Sequence, residues 1–198
     1  MKMYRAVRQH QLENNRILTR LPTDRVPTNV PYLVDNIWEY LRPAGAPSRR
    51  QAIYASPAPE LALASASTAT HEHDGYVVCE VEIDDPDCRI AHLSVEDAKF
   101  HTDINRVMRF ASAFFPGFFA GKSDQQRLAY APLFMPASPG SEIGQLLARP
   151  ELATLCAVAQ ECMLWNEAAL SIRPGHRGEL FFELSDAGVC RLTPVSSW

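Results

Sequence analysis

The apolar and polar positions of this chain switch repeatedly between a period of two and a helical period. Met3-Tyr4-Arg5-Ala6-Val7 alternates and predicts a short first strand. Gln9 to Leu18 follows with a helical pattern, and Pro22, Pro27 and Pro31 predict loop after it. Leu33, Ile37, Trp38 and Leu41 fall on one stripe of a helix over Tyr32–Leu41. A turn-rich connector, Arg42-Pro43-Ala44-Gly45-Ala46-Pro47, leads to a predicted strand at Arg50–Ala55. Pro59, suited to a first helical turn, opens a helix that runs to Ala64. The small, polar segment Ser65–Asp74 predicts an exposed loop, and Tyr76–Ile83 alternates as a strand. Asp84-Asp85-Pro86-Asp87 closes that strand with turn chemistry.

In the second half the pattern predicts a helix over Asp103–Phe115, then an irregular packed loop over Pro116–Ala137, rich in aromatics, Gly and Pro. Short helices are expected at Glu142–Leu147 and Pro150–Ala159. Strand character is assigned to Glu161–Leu164, Ala169–Ile172, Glu179–Leu184 and Val189–Leu192. Ser185-Asp186-Ala187-Gly188 reads as the turn of a hairpin joining the last two. Strands and helices without regular β-α alternation predict an α+β fold rather than a doubly wound parallel sheet. No internal repeat is visible.

Length and composition change this picture little. A chain of 198 residues, 46% hydrophobic and 21% charged, is ordinary globular material and predicts one domain over residues 1–198. A formal net charge of −4 argues against tight, nonspecific nucleic-acid binding. Cys79, Cys88, Cys156, Cys162 and Cys190 are odd in number and form no C-x-x-C pair. They read as reduced thiols rather than a disulfide or zinc framework. Met1–His10 lacks a signal-peptide core, and no apolar run approaches the ~18 residues of a membrane span. The expectation is a cytoplasmic protein with no membrane partner, or one delivered into a target cell by a leaderless route.

Several motif-like strings fail on inspection. Gly121-Lys122-Ser123 resembles the end of a phosphate loop, but the Gly required five residues earlier is Pro116. His71-Glu72-His73-Asp74 lies in a polar loop without a third ligand at a recognisable spacing, and reads as a solvated turn. His176 sits in a basic turn, and neither a nucleophile elbow nor a cysteine-protease pattern occurs.

Three segments together carry more. They are Tyr4-Arg5, Pro47–Pro57 with the small-residue helix after it, and Gln160-Glu161-Cys162-Met163-Leu164-Trp165-Asn166 with the apolar run to Ile172. In this order they resemble the ADP-ribosyltransferase superfamily. The third resembles that family's late strand, which puts Glu161 at the catalytic glutamate. The second resembles its hydrophobic-Tyr-Phe-Ala strand and Ser/Ala-rich helix, which puts Tyr54 at the nicotinamide-stacking tyrosine. The first resembles its early strand, with Arg5 where toxin-like members carry Arg. The polymerase-type His, the Gly before Tyr54 and a Glu-x-Glu pair at Glu161 are absent.

The resemblance implies a split, antiparallel-rich pair of sheets with flanking helices. It also implies NAD as substrate and a macromolecular acceptor, protein or nucleic acid, as for a bacterial toxin or effector. An inhibitory antitoxin or immunity partner would accompany such an activity. Catalysis would fall to Glu161, Tyr54 and Arg5, and NAD binding to Arg5, Tyr54, Ser56 and Arg49. The residue types suit the chemistry. Breaking the nicotinamide–ribose bond passes through an oxocarbenium-like state, which a carboxylate at the ribose stabilises. A tyrosine ring can stack on nicotinamide, and arginine offers a rigid donor fork to phosphate or ribose.

Two other readings fit the same residues. One is an NAD-degrading toxin of the RES type, which shares the early Tyr-Arg and the hydrophobic-Tyr strand before an Ala-rich helix; its Gly-Gly-Arg-Trp-Asn signature is missing. The other is a non-catalytic binding or immunity-like module on the same fold. Each residue also has an ordinary role open to it: Tyr54 as a core aromatic, Arg5 as a surface cation, Glu161 as a strand-edge carboxylate and Ser56 as a turn cap.

Overall fold

A computed structural model of the chain describes residues 2–66, 75–162 and 177–195. The order of elements is β1 (Tyr4–Arg8), α1 (Gln9–Asn14), β2 (Ile17–Thr19), α2 (Tyr32–Tyr40), β3 (Ile53–Ala55), α3 (Pro59–Ala66), β4 (Tyr76–Asp84) and β5 (Arg89–His92). There follow α4 (Thr102–Phe119), α5 (Asp124–Leu128), α6 (Gly140–Leu147), α7 (Ala153–Glu161), β6 (Leu180–Glu183) and β7 (Val189–Pro194). Short 3-10 turns occupy Ala98–Phe100, Ala131–Phe134 and Pro150–Leu152. The class is α+β.

The chain divides into two compact units. The first comprises Met1–Thr23, Gly45–Asp97 and Ala168–Trp198; the second comprises Asp24–Ala44 and Ala98–Glu167. All described strands belong to the first unit. They form a four-stranded sheet, β1-β4-β7-β2, and a three-stranded sheet, β3-β6-β5, with every neighbouring pair antiparallel.

The period-two pattern explains the core of the first unit. Val7, Cys79, Val81, Cys190 and Leu192 come from the larger sheet, with Met3 just ahead of β1, and Ile53, Ala55, Leu180 and Phe182 from the smaller. Together they make one buried apolar cluster, as alternating strands require when two sheets bury one face each. A bridge between Tyr4 and Ser56 links the sheets at one end. Tyr4 N–H donates to Ser56 O at 2.8 Å, and Ser56 N–H to Tyr4 O at 2.7 Å.

The second unit is helical. Trp38, Ile37, Val34 and Leu33 of α2 are buried, as are Ile104, Val107 and Phe115 of α4, Ile143 and Leu146 of α6, and Leu155 of α7. Asn36, fully buried on α2, donates to the carbonyls of Pro132, Leu133 and Met135 at 2.9–3.1 Å and accepts the Ser138 N–H at 3.2 Å. One amide side chain thereby fixes the whole turn after α5.

Several expectations are corrected. The helix expected over Gln9–Leu18 stops at Asn14. Asn15 Oδ1 accepts the Ile17 N–H at 2.9 Å and turns the chain into β2, which pairs with β7. The helix expected to end at Phe115 runs to Phe119 through Pro116. The lost backbone donor there costs ~3 kcal/mol, offset by ring pairs one helical turn apart, Phe110–Phe114, Phe114–Phe118 and Phe115–Phe119. The stretch 116–137 is thus largely helical. The expected hairpin at Ser185–Gly188 is not one, because β6 and β7 lie in different sheets. Ser185 instead turns away to Asp85, donating its N–H at 2.7 Å and its hydroxyl at 3.0 Å.

The strand expected from Glu161 is also corrected: Glu161 is the last residue of α7, and Cys162 caps the helix. Cys162 N–H closes back on Val158 O at 3.1 Å, the last turn of the helix, so no strand begins at Glu161. Met163, Leu164 and the strand expected at Ala169–Ile172 lie outside the described residues, as do His71–Asp74 and His176. Among the described residues, no helix is long and apolar enough to cross a membrane.

Candidate functional site

A cavity of about 180 Å³ opens in the first unit beside the Tyr4–Ser56 bridge. Tyr4, Arg5 and Ala6 of β1 form one wall, Tyr54, Ala55 and Ser56 a second, and Ala62, Ser65 and Ala66 of α3 a third. Glu179 completes the lining. The space exists because the α3 side is built from Ala and Ser; leucines at those positions would fill it. At this size the cavity is smaller than the ~300–1,000 Å³ of drug-sized sites. It has room for a ring and part of a sugar, not for a whole dinucleotide.

The polar groups around it are held firmly. Arg5 Nη1 donates to Tyr54 O at 2.6 Å, tying β1 to the middle of β3. Tyr54 and Phe181, directly opposed across β3 and β6, stack with ring centres 6.0 Å apart. The Arg49 guanidinium lies over both rings, at 5.1 Å from Tyr54 and 5.4 Å from Phe181. The Tyr54 hydroxyl donates to Arg49 O at 3.1 Å. Arg49 Nη1 in turn donates to Glu179 Oε2 at 3.2 Å, with both side chains nearly buried. Glu179 is fixed through its backbone as well: its N–H donates to Val95 O at 2.7 Å, and its carbonyl accepts the Leu93 N–H at 2.9 Å.

The sequence candidates therefore separate. Arg5, Tyr54 and Ser56 line one cavity. Arg49 stands behind it and touches two of the lining residues without lining it itself. The face of Tyr54 beneath Arg49 is covered, so the ring does not offer that face for stacking. Glu161 belongs to the second unit, on an exposed helix end. Its carboxylate accepts from Arg106 Nη2 at 2.6 Å, a surface ion pair of the kind worth little to stability.

Sequence reading missed Glu179. It heads the apolar Leu-Phe-Phe run of β6, the same signal that drew attention to Glu161, and only the fold tells the two apart. A second buried carboxylate, Glu183, was also overlooked, and it is structural. It accepts from Ser48 N–H at 2.7 Å, Arg89 Nη2 at 2.7 Å and Arg20 Nη2 at 3.2 Å, clamping the connector before β3 onto β6.

The thiols of this unit are poor nucleophiles. Burial pushes Cys88 up to about 12 and Cys190 up to about 11, and it raises Cys79 as well. At neutral pH these groups stay protonated and packed. No set of His, Cys, Asp and Glu suited to a metal ion occurs among the described residues. Compared with protein-family models, curated proteins and solved structures, the chain matches none.

Proposed function

We propose that this protein is an NAD-cleaving enzyme of the ADP-ribosyltransferase type, working from the cavity of the first unit. The observation that carries the reading is the convergence of one carboxylate, Glu179, one guanidinium, Arg5, and one tyrosine, Tyr54, on a space sized for nicotinamide and its ribose. On this reading the two antiparallel sheets joined at Tyr4–Ser56 are the split sheet of that fold.

Glu179 takes the role that the sequence suggested for Glu161. As the nicotinamide–ribose bond breaks, positive charge develops on the ribose, and a fixed carboxylate lowers the energy of that state. Removing one such preorganised group typically costs ~10²–10³ in rate. Arg5, already held by the Tyr54 carbonyl, meets the phosphate or ribose end with its planar fork. Ser56 lines the same wall and offers a hydroxyl to the sugar. The adenosine half of the substrate extends out of the cavity. The product is ADP-ribose carried to a macromolecular acceptor, in a cytoplasmic setting where an inhibitory partner restrains the toxic form.

A second reading, RES-type NAD degradation without an acceptor, is favoured by one feature. The cavity walls are the very segments shared with that family: Tyr4-Arg5, Ile53-Tyr54-Ala55-Ser56 and the Ala/Ser face of α3. Incubation with NAD labelled in its adenine half, with and without cell lysate, separates the two. Label moving onto protein or nucleic acid supports transfer, whereas NAD loss with only free ADP-ribose supports degradation. A protein that neither binds nor consumes NAD is a binding module, and the enzymatic reading fails.

A further inference from the structure

We propose that Arg49 is the positioning residue of this cavity, holding the Glu179 carboxylate and the Tyr54 ring in place from behind; the proposal rests on the NAD reading above. Its side chain is 5% exposed and does not line the cavity, so it acts through its neighbours and not on the substrate. It reaches two lining residues by three separate contacts. The guanidinium pairs with Glu179 at 3.2 Å, the same group lies 5.1 Å from the Tyr54 ring centre, and the Arg49 carbonyl accepts the Tyr54 hydroxyl at 3.1 Å.

The turn that carries Arg49 is itself pinned. Ser48 N–H is held by buried Glu183 at 2.7 Å, and Ser48 Oγ accepts the Arg50 N–H at 3.2 Å. Gln51 N–H closes the turn on Ser48 O at 3.2 Å. Arg49 is thus a rigid bracket and not a swinging arm. Arginine suits the task because its planar cation can cover two aromatic faces and still hydrogen-bond a carboxylate at its edge. Glu179 is 12% exposed, and a carboxylate so nearly buried is costly unless a cation pairs with it. A fixed carboxylate at Glu179 is what the ribose cation requires.

The test is nicotinamide release from NAD by the wild type, Arg49→Ala, Arg49→Lys, Glu179→Gln and the Arg49→Ala/Glu179→Gln double variant, each with a thermal melt. Arg49→Ala is expected to lower kcat by about 10–100-fold with KM within about threefold, and Arg49→Lys to recover part of the loss. The double variant is expected to be within about threefold of Glu179→Gln alone, because Arg49 acts through a carboxylate already gone. Should Arg49→Ala not fold, Arg49→Lys and its double with Glu179→Gln carry the same comparison. Losses that multiply, or a rise in KM with kcat unchanged, overturn the proposal while leaving the NAD reading intact. A folded wild type that releases no nicotinamide overturns the NAD reading, and this proposal with it.

Discussion

The two units carry cavities of opposite character. In the first, about 180 Å³ is lined by Arg5, Glu179, two tyrosines and small residues. In the second, a groove of about 480 Å³ runs along α2 and α4, lined chiefly by Tyr32, Met108, Phe115, Pro116 and Phe134. The larger space has no carboxylate, guanidinium, ammonium or imidazole in its described lining. It can bury apolar surface, but it has nothing with which to stabilise a developing charge. The smaller one has an arginine and a glutamate in its wall, the glutamate held by nearly buried Arg49 behind it, and an oriented carboxylate acts more strongly where water is excluded. What recommends the smaller cavity for chemistry is thus its polar groups and their rigidity, not its volume.

That contrast can be broken by filling each space in turn. Ala62→Leu pushes a branched side chain into the first cavity and is expected to lower nicotinamide release more than about tenfold, since small misplacements at a reacting centre are costly. Ser112→Leu, on the wall of the apolar groove, is expected to leave release within about twofold of wild type. Steady-state kinetics on both variants checks the pair, and equal losses would erase the distinction.

The next effects fall on stability. Glu183→Ala removes the buried acceptor of three donors and is expected to destabilise the first unit by about 2–4 kcal/mol, read by urea denaturation. The figure is moderate because Arg20 and Arg89 are about a third exposed and can turn to water. Gly188→Ala should cost about 1–3 kcal/mol by the same assay. Its new Cβ would collide with the Asp85 carboxylate and come within 2.9 Å of Asp85 Cβ. Ser185 holds that carboxylate in place with two hydrogen bonds.

Gly144→Ala in the second unit offers the mild counterpart. Its Cβ would meet Tyr40 Cε2 at 2.7 Å, but that ring is 42% exposed and can swing aside, so less than about 1 kcal/mol is expected.

How much of this was legible in the sequence differs between the units in a physical way. The stripe Leu33, Ile37, Trp38 gave α2 almost residue for residue, because helical hydrogen bonds are local and the period is strong. The alternation of Tyr76–Ile83 gave β4 equally well. The sheet order was not legible. Ser185–Gly188 has the composition of a hairpin turn, yet β6 pairs with β3 and β5, while β7 pairs with β4 and β2, partners distant in sequence. The residues of the candidate site were singled out in part. Tyr4-Arg5 and Tyr54-Ala55-Ser56 were singled out, and they do meet. Glu161 and Glu179 each border a short apolar run, and such runs do not distinguish a helix end from a strand start. Arg49 was read as a group for the ligand, whereas burial puts it behind the wall.

The smallest prediction is alkaline. Cys88 and Cys190 keep their protons in the folded unit up to about 12 and about 11, because burial disfavours their thiolates. In the unfolded chain they ionise near pH 9, so the folded state binds more protons above that point. Stability should therefore fall as pH rises from about 9, and Cys88→Ala should flatten that fall in a series of thermal melts.

The most direct test compares the two glutamates by their rates of nicotinamide release from NAD. Glu179→Gln is expected to lose ~10²–10³ in rate while still folding, its melting temperature lowered because the nearly buried Arg49 loses its charged partner, and Glu161→Gln to stay within about twofold of wild type in rate and close to it in melting temperature. A silent Glu179→Gln together with an inactive Glu161→Gln would contradict the account and move the chemistry away from the cavity of the first unit.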